Sequence, residues 1–202
     1  MKSIIIIAIS LILFTGCSLK NKSLVNNSFL IKFNTNYKAL KNTDKSIKIN
    51  RVKVSNTFNK THIFYSYKKY KLDKYSKNSW SDIPSNMIFQ ELKLIFNKSN
   101  LFDNSNLSNT DYILNTNIFE IYNKIEKNSA FAVLNLNFEL INTKTKKSSF
   151  YNYNKEIKLE KNTPYYFVVA TNNAFSTIIE NFLKDLENKT FKNWNFYLQY
   201  FQ

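Results

Sequence analysis

The chain has 202 residues, of which 44% are apolar and 16% aromatic, enough to build the core of one domain. Its formal charge is +15, yet Arg51 is the only arginine, and arginine is the side chain best suited to phosphate recognition. The lysine excess therefore fits AT-rich codon usage better than nucleic-acid binding, although acidic phospholipid headgroups are an alternative partner. One cysteine and one histidine exclude an intrachain disulfide and a polyhistidine metal site.

A lipoprotein signal is predicted at the amino terminus. Lys2 supplies a positive charge, and an apolar run follows at residues 4–14. That run has about eleven residues, too few for a helix to cross a hydrocarbon core about 30 Å thick. Gly16 is the small residue before the cleavage point, and Cys17 is the site of diacylglycerol attachment. We predict a signal peptide at residues 1–16; a plain signal peptide with an incidental cysteine, or a short anchor, is the alternative.

The lipid anchor predicts where the protein is found. Several acyl chains on Cys17 would hold it firmly in one leaflet. Ser18 follows, where an aspartate would be the inner-membrane retention signal of enteric bacteria. The expected location is therefore the outer membrane, on the side that faces the periplasm. Residues 17–28 are polar and are predicted to be a flexible tether between the lipid and the domain.

The first strands are expected to be short. Residues 29–33 are predicted as a strand, and residues 34–45 as a loop. Residues 46–55 alternate with period two, but Ile47 and Val52 fall in opposite phases. Because a one-residue slip exchanges the two faces of a strand, a bulge is predicted near residues 50–51. After a polar loop, strands at 63–67 and 71–75 are predicted to form a hairpin joined at Lys68 and Lys69.

A first helix is predicted to begin at Pro84 and to end near Ser99. Proline suits the first turn because its missing N–H has no partner there, and Asp82 is the expected cap. The predicted buried stripe consists of Ile88, Leu92, Ile95 and Phe96. The predicted solvent-exposed face of the helix consists of Asn86, Gln90, Lys93 and Asn97.

Three longer strands are predicted next, at 111–122, 129–141 and 149–159, with a polar turn at 142–147. In the first of them, a second phase at Phe119 and Ile121 follows the phase of Leu114 and Ile118. In the second, one face carries Ala130, Ala132, Leu134, Leu136, Phe138 and Leu140. In the third, Tyr151, Tyr153, Ile157 and Leu159 share a phase.

A second helix is predicted at 164–188, capped by Thr163. The domain is expected to span 29–190, and the aromatic tail at 191–202 is left as a strand, a helix or a contact surface. The predicted fold is a single α+β domain. Its largely antiparallel sheet of about five to seven strands would carry both helices on one face.

Residues with catalytic potential are few. Gly16 is the only glycine, so the mature chain cannot build a phosphate-binding loop or a dinucleotide turn. His62 has no catalytic signature around it, and Trp80 is expected to be a packing anchor rather than a sugar platform. Two carboxylates could serve glycoside hydrolysis, but nothing selects a pair among Asp103, Asp111, Glu120, Glu126 and Glu139. We expect no enzyme, no catalytic residue, no metal and no cofactor.

Residues 63–102 resemble the ABC-type transport auxiliary lipoproteins. An aromatic strand and a tyrosine-bearing strand precede Trp80, and a proline-started helix with Met87 and Leu92 follows. The resemblance continues through Leu101 and Phe102, residues 111–114, the hairpin at 129–159, and Ala170 and Ala174 in the final helix. It covers roughly 47–186 and departs from the family pattern at 55–62, where a proline-bearing turn and an arginine are usual.

The resemblance implies a periplasm-facing accessory protein without a catalytic centre, in which only Cys17 has a family-assigned role. Its implied partners are an MCE-type substrate-binding protein and an ABC transporter permease, which together move phospholipids or other hydrophobic molecules between membranes. Self-association is left open, and nucleic acid is not expected as a partner. The alternative is a stand-alone envelope lipoprotein: an assembly factor, a spacer or a lipid-binding protein.

Overall fold

The computed structural model describes residues 26–39, 42–103 and 109–198, with side chains as far as residue 188. Two helices pack on one face of a mixed, eight-stranded sheet to form a single α+β domain. The strands are β1 (Asn27–Phe29), β2 (Ile47–Ile49), β3 (Lys53–Val54), β4 (His62–Lys68), β5 (Lys71–Trp80), β6 (Tyr112–Ile125), β7 (Ala130–Asn142) and β8 (Ser148–Lys158). The helices are α1 (Pro84–Ser99) and α2 (Pro164–Leu198).

The predicted fold class is therefore confirmed, with more strands than the five to seven expected. The strand order is β1-β5-β4-β6-β7-β8, and the longest ladders, β6–β7 and β7–β8, are antiparallel. The first strand differs from its prediction at 29–33: it ends at Phe29, and Ile31 and Phe33 are buried without forming a strand. These two side chains pack into the core, so their burial does not depend on strand pairing.

Three short strands lie in succession along one edge of β6, and two of them, β2 and β3, come from the single strand predicted at 46–55. β7 occupies the other edge of β6 from Tyr112 to Ile125. β2, β3 and β4 all run parallel to β6, and Ile47, Lys53 and Tyr65 pair with its successive parts. The interruption between β2 and β3 falls where the bulge was predicted, so that Ile47, Val52 and Val54 are all buried.

Strand β6 changes phase as its sequence predicts. Leu114 and Ile118 are buried on one side of a register shift, and Ile121 is buried on the other. The shift lies between Ile118 and Glu120, which makes Phe119 the extra residue of a bulge. The phase change is confirmed at Ile121, but Phe119 does not share its buried face, because Phe119 is the extra residue of the bulge and is 46% exposed.

Helix α1 has the predicted bounds but a different cap. Ile83 occupies the N-cap position, and Asp82 accepts a hydrogen bond from the Ile83 N–H (2.7 Å) and from Asn86 Nδ2 (3.0 Å). The N–H of Ser85 lies in the first turn of the helix, and it donates a hydrogen bond to Oδ1 of Asn59 (3.1 Å) rather than to Asp82. The prediction that Asp82 caps this helix is therefore wrong, because a side chain from the β3–β4 loop takes that place.

Helix α2 is capped as predicted and is longer than predicted. The Tyr166 N–H donates to Oγ1 of Thr163 (3.4 Å). The helix passes its expected end at residue 188 and reaches Leu198, so residues 191–198 of the predicted tail are helical, and 199–202 lie outside the described residues. Within the described ranges, neither helix combines the length and the apolar character needed to cross a membrane.

Candidate functional site

The predicted lipidation site, Cys17, and the cleavage site, Gly16, both lie outside the described residues. The described chain begins at Asn26, one residue before β1. The described side chains form two concave or strongly charged regions: a groove beside α1 and the turn between β4 and β5.

The groove beside α1 is an open cavity of about 450 Å³. Its lining mixes apolar and charged groups: Leu30, Ile31, Lys32, Arg51, Asp82, Asn86, Met87, Gln90 and Glu91. Arg51, the only arginine of the chain, stands over the ring of Phe89 with its guanidinium carbon 4.6 Å from the ring centroid. The groove therefore combines an apolar wall with the guanidinium group of Arg51, which is held in place by its stacking on Phe89.

Glu91 fixes one wall of this groove and is 4% exposed. Its Oε1 accepts a hydrogen bond from Lys32 Nζ (2.7 Å), and its Oε2 accepts one from the Phe33 N–H (3.0 Å). Buried carboxylates are tolerated only with such partners. Sequence reasoning did not single out Glu91, yet a signal existed, because its spacing from Ile88 and Ile95 places it on the apolar face of the helix.

The turn between β4 and β5, residues 66–72, is named the hairpin tip. Tyr70 is 93% exposed and Tyr67 is 51% exposed. Tyr70 also has a positive φ of 65°, a conformation that a bulky residue rarely adopts. Lys71 donates to the Tyr67 hydroxyl and lies over its ring; that hydrogen bond and the nearby Asp73 raise the pKa of Lys71. The predicted hairpin is confirmed, but β5 continues beyond residue 75 to Trp80.

The carboxylates considered for hydrolysis have polar neighbours of their own. Glu139 accepts from Asn115 (2.9 Å) and Ser148 (2.8 Å), and these bonds lower its pKa. Glu126 pairs with Lys124 (3.2 Å). Glu120 accepts from Asn135 (3.4 Å), and Asp103 lies in an isolated bridge with Ser46. Each of these contacts supports local structure, and none of them brings two of these carboxylates face to face, as glycoside hydrolysis requires.

Asp111 links the start of β6 to two other segments. It accepts hydrogen bonds from the Ser46 N–H (3.1 Å) and hydroxyl (3.2 Å), and it pairs with Lys144 (3.2 Å) and Lys45 (3.9 Å). Burial by itself raises the pKa of Asp111, but the hydrogen bonds and the two cations outweigh it and leave the pKa below its ordinary value.

Replacing Asp111 by asparagine should lower the free energy of unfolding at pH 7 by up to about 1 kcal/mol. A carboxyl whose pKa is lower in the folded state stabilises above its unfolded pKa, near 4, and this contribution is lost as the pH falls through the folded value. The difference between the wild type and Asp111→Asn should therefore shrink between pH 5 and pH 2.5, as measured by urea denaturation. A difference that stays constant over this range would contradict the assignment.

The two other residues singled out from the sequence, Trp80 and His62, lie in the core and at the start of a strand. Trp80 is buried with its ring 6.0 Å from that of Phe167, so its expected role as a packing anchor is confirmed. His62 begins β4, and its Nε2 lies 3.5 Å from Lys74 Nζ. Among the residues with described positions, no three His, Cys, Asp or Glu side chains are grouped to hold a metal ion.

The fold resembles two solved structures. Protein XCC0632 from Xanthomonas campestris, assigned to family model DUF330, superposes with a TM-score of 0.72 at 9% identity, over 84% of this chain and 99% of that protein. A second crystal structure, of an uncharacterized protein, gives 0.65 at 10% identity, over 80% and 99% of the two chains. No family model and no curated protein matches the sequence. At these identities the similarity shows a shared fold, and that fold is the one of a DUF330 protein.

Proposed function

We propose that this protein is a lipid-anchored, periplasm-facing, non-catalytic accessory component of an MCE/ABC-type lipid transport system. The proposal is carried by one observation: a lipid-attachment pattern ending at Gly16 and Cys17 precedes a domain whose segments follow, in order, the pattern of ABC-type transport auxiliary lipoproteins. The anchor would keep the domain at one leaflet, where it would dock onto a partner that carries the lipid.

The fold supports this proposal through the residues on which the resemblance depends. Met87 and Leu92 of α1 are buried, as are Leu101 and Phe102 directly after it. Trp80 packs against Phe167 of α2. The pattern therefore describes one connected core, as expected of a sequence signature that specifies a fold.

Replacing Cys17 by serine should abolish lipid attachment. The thioether requires the sulfur atom, so the chain should lack the mass of the diacylglycerol, and it should keep residues 1–16 because lipid attachment precedes cleavage. Intact-mass spectrometry measures both effects. A Thr15→Ser variant, which leaves Gly16 and Cys17 in place, is the matched control. A Cys17→Ser protein with the mass of a cleaved, acylated chain would contradict the anchor.

The partnership is tested by crosslinking the full-length lipoprotein in its own envelope and identifying the captured proteins by mass spectrometry. We expect an MCE protein and its permease to be recovered together. The Cys17→Ser protein should recover much less of both, because it is no longer held at the leaflet. Recovery of an acylated protein alone, from cells that express such a transporter, would contradict the transport role and leave the anchor intact.

The groove beside α1 favours one alternative, a stand-alone lipoprotein that binds a small lipid. Leu30 and Met87 supply apolar wall, and Arg51 supplies a cation for an acidic headgroup. Native mass spectrometry of the detergent-solubilised protein would show a bound lipid. An Arg51→Gln variant that loses this lipid while remaining folded would favour the alternative over the transport role.

A further inference from the structure

We propose that the hairpin tip, residues 66–72, is a second membrane contact that rests in the anionic headgroups of the leaflet to which the protein is anchored. This inference rests on the lipid anchor of the proposed function and goes beyond it, because it assigns an orientation and a lipid-binding surface to the folded domain.

The tip combines the two side-chain types that favour a membrane interface. Tyr67 and Tyr70 expose aromatic rings with polar hydroxyl ends, and Leu72 adds partly exposed apolar surface. Tyrosine is enriched at the headgroup level because its ring is apolar and its hydroxyl group forms hydrogen bonds with water. Between the two tyrosines lie Lys68 and Lys69, both exposed. The tip therefore offers apolar insertion and positive charge within one short turn.

The positive charge of the tip is only partly neutralised. Lys71 pairs with Asp73 (3.2 Å), while Lys124, on the adjacent end of β6, pairs with Glu126 (3.2 Å) and Glu156 (3.0 Å). Among the described residues, no carboxylate oxygen lies within 4.0 Å of Lys68 or Lys69. Lys69 instead lies over the ring of Tyr70, with 4.8 Å between Nζ and the centroid. Two cations are therefore available to phosphate groups.

The conformation of Tyr70 also sets the tip apart. Its positive φ of 65° is ordinarily taken by glycine or asparagine, and a bulky residue adopts it at a conformational cost. Asparagine is abundant in this chain, yet a tyrosine with 93% exposure occupies the position. The ring gains little burial within the domain to offset that cost. Contact with a membrane would bury the ring and so offset the cost.

The direction of β1 points its first residue toward the hairpin tip. β1 runs parallel to β5, with Asn27 paired to Asn78 and Phe29 paired to Trp80. The start of β1 at Asn27 therefore points toward earlier residues of β5, which is the direction of Lys71 and the tip. An antiparallel pairing would have sent it the opposite way.

The lengths are compatible with one membrane contacting both features. The tip lies seven residues of β5 beyond Asn78, about 23 Å at about 3.3 Å per residue. The chain from Cys17 to Asn27 can reach about 35 Å when fully extended. The lipid on Cys17 can therefore lie in the same leaflet that the tip contacts.

The β7–β8 turn provides a matched control within the molecule. It carries Lys144, Lys146 and Lys147 but no aromatic residue. It lies at the other end of β6, because Asn142 pairs with Tyr112, whereas Ser66 of the tip pairs with Lys124. A domain oriented by the tip would hold this turn away from the membrane.

The test uses the lipidated mature protein in nanodiscs of phosphatidylcholine, with or without about one-third phosphatidylglycerol. Acylated Cys17 has no free thiol, so Tyr70→Cys and Thr145→Cys each provide one labelling site for a fluorophore. Brominated lipids then quench a label that enters the headgroup region. We expect quenching at position 70 in the anionic discs, weaker quenching there in the neutral discs, and none at position 145.

Adding Lys68→Gln and Lys69→Gln to the Tyr70→Cys protein should weaken the tip contact about five-fold for each lysine at low ionic strength. Adding Lys146→Gln and Lys147→Gln should leave it unchanged. Equal quenching at positions 70 and 145, or no dependence on phosphatidylglycerol, would overturn the inference. An unquenched tip in the discs that crosslinks to an envelope protein in the native envelope would likewise overturn it, since the tip would then be a protein-docking surface.

The intact mass of each sample distinguishes this inference from the function on which it rests. An acylated protein with an unquenched tip overturns the membrane contact and leaves the proposed function standing. A protein without acylation of Cys17 overturns both.

Discussion

Replacing Phe182 by alanine should destabilise the domain by about 3–5 kcal/mol, the largest effect expected of any single substitution discussed for this chain. Phe182 lies on α2 and is fully buried. Its ring stacks on Phe138 of β7 (centroids 4.3 Å apart) and meets Tyr151 of β8 edge-on (4.9 Å). It therefore joins the helix to two neighbouring strands, and its removal would leave a cavity between rigid elements.

Urea denaturation of the mature chain measures this effect as a fall in the midpoint at an unchanged slope. Phe150→Ala is the matched control, because Phe150 lies on β8 beside Tyr151 but is 59% exposed. It should change the free energy of unfolding by less than about 0.5 kcal/mol. Similar effects of the two substitutions would show that α2 does not pack on the sheet as described.

Replacing Glu91 by alanine should cost about 2–3 kcal/mol, which is more than ordinary helix ion pairs contribute. The substitution removes the acceptor of the buried Phe33 N–H, which would be left without a partner. Lys32 contributes less to this cost, because its side chain is 61% exposed and returns to water. Glu91→Gln keeps an acceptor of the same shape, so it should cost less than half as much as Glu91→Ala.

Glu180→Ala is the matched control for Glu91→Ala. Both glutamates lie on helices, and both accept a hydrogen bond from a lysine Nζ at 2.7 Å. Glu180 is exposed and pairs with Lys184 one turn away, so its loss should cost about 0.3–0.5 kcal/mol. Denaturation gives the two values, and hydrogen exchange at residues 31–33 locates the effect. Equal costs, or unchanged exchange at Phe33, would contradict the role assigned to Glu91.

The contact made by Glu91 also matters for the proposed orientation of the domain. It holds Lys32 and Phe33 against α1, shortly after β1 has paired with β5. These contacts fix the position of the chain that follows β1. If the hairpin tip contacts the membrane as proposed, the contacts of Glu91 help to hold the domain in that orientation.

The sequence by itself determined the features that depend on neighbours a few residues apart. The period of the apolar residues located α1 and the inward face of β7, which carries Leu134 and Leu136. Proline sterics located the starts of both helices at Pro84 and Pro164. The opposite phases of Ile47 and Val52 located the break between β2 and β3, because strand geometry alternates strictly with residue number.

Only the tertiary structure decided the features that join distant parts of the chain. The cap supplied by Asn59 and the acceptor supplied by Glu91 each require a partner from another segment, and many such partners are equally compatible with local sequence. The succession of β2, β3 and β4 along β6 is likewise a matter of long-range pairing. The parallel pairing of β1 has no local signature either, because strand direction depends on the path of the whole chain. That one pairing points the start of β1 toward the end of β5 at which the hairpin tip lies.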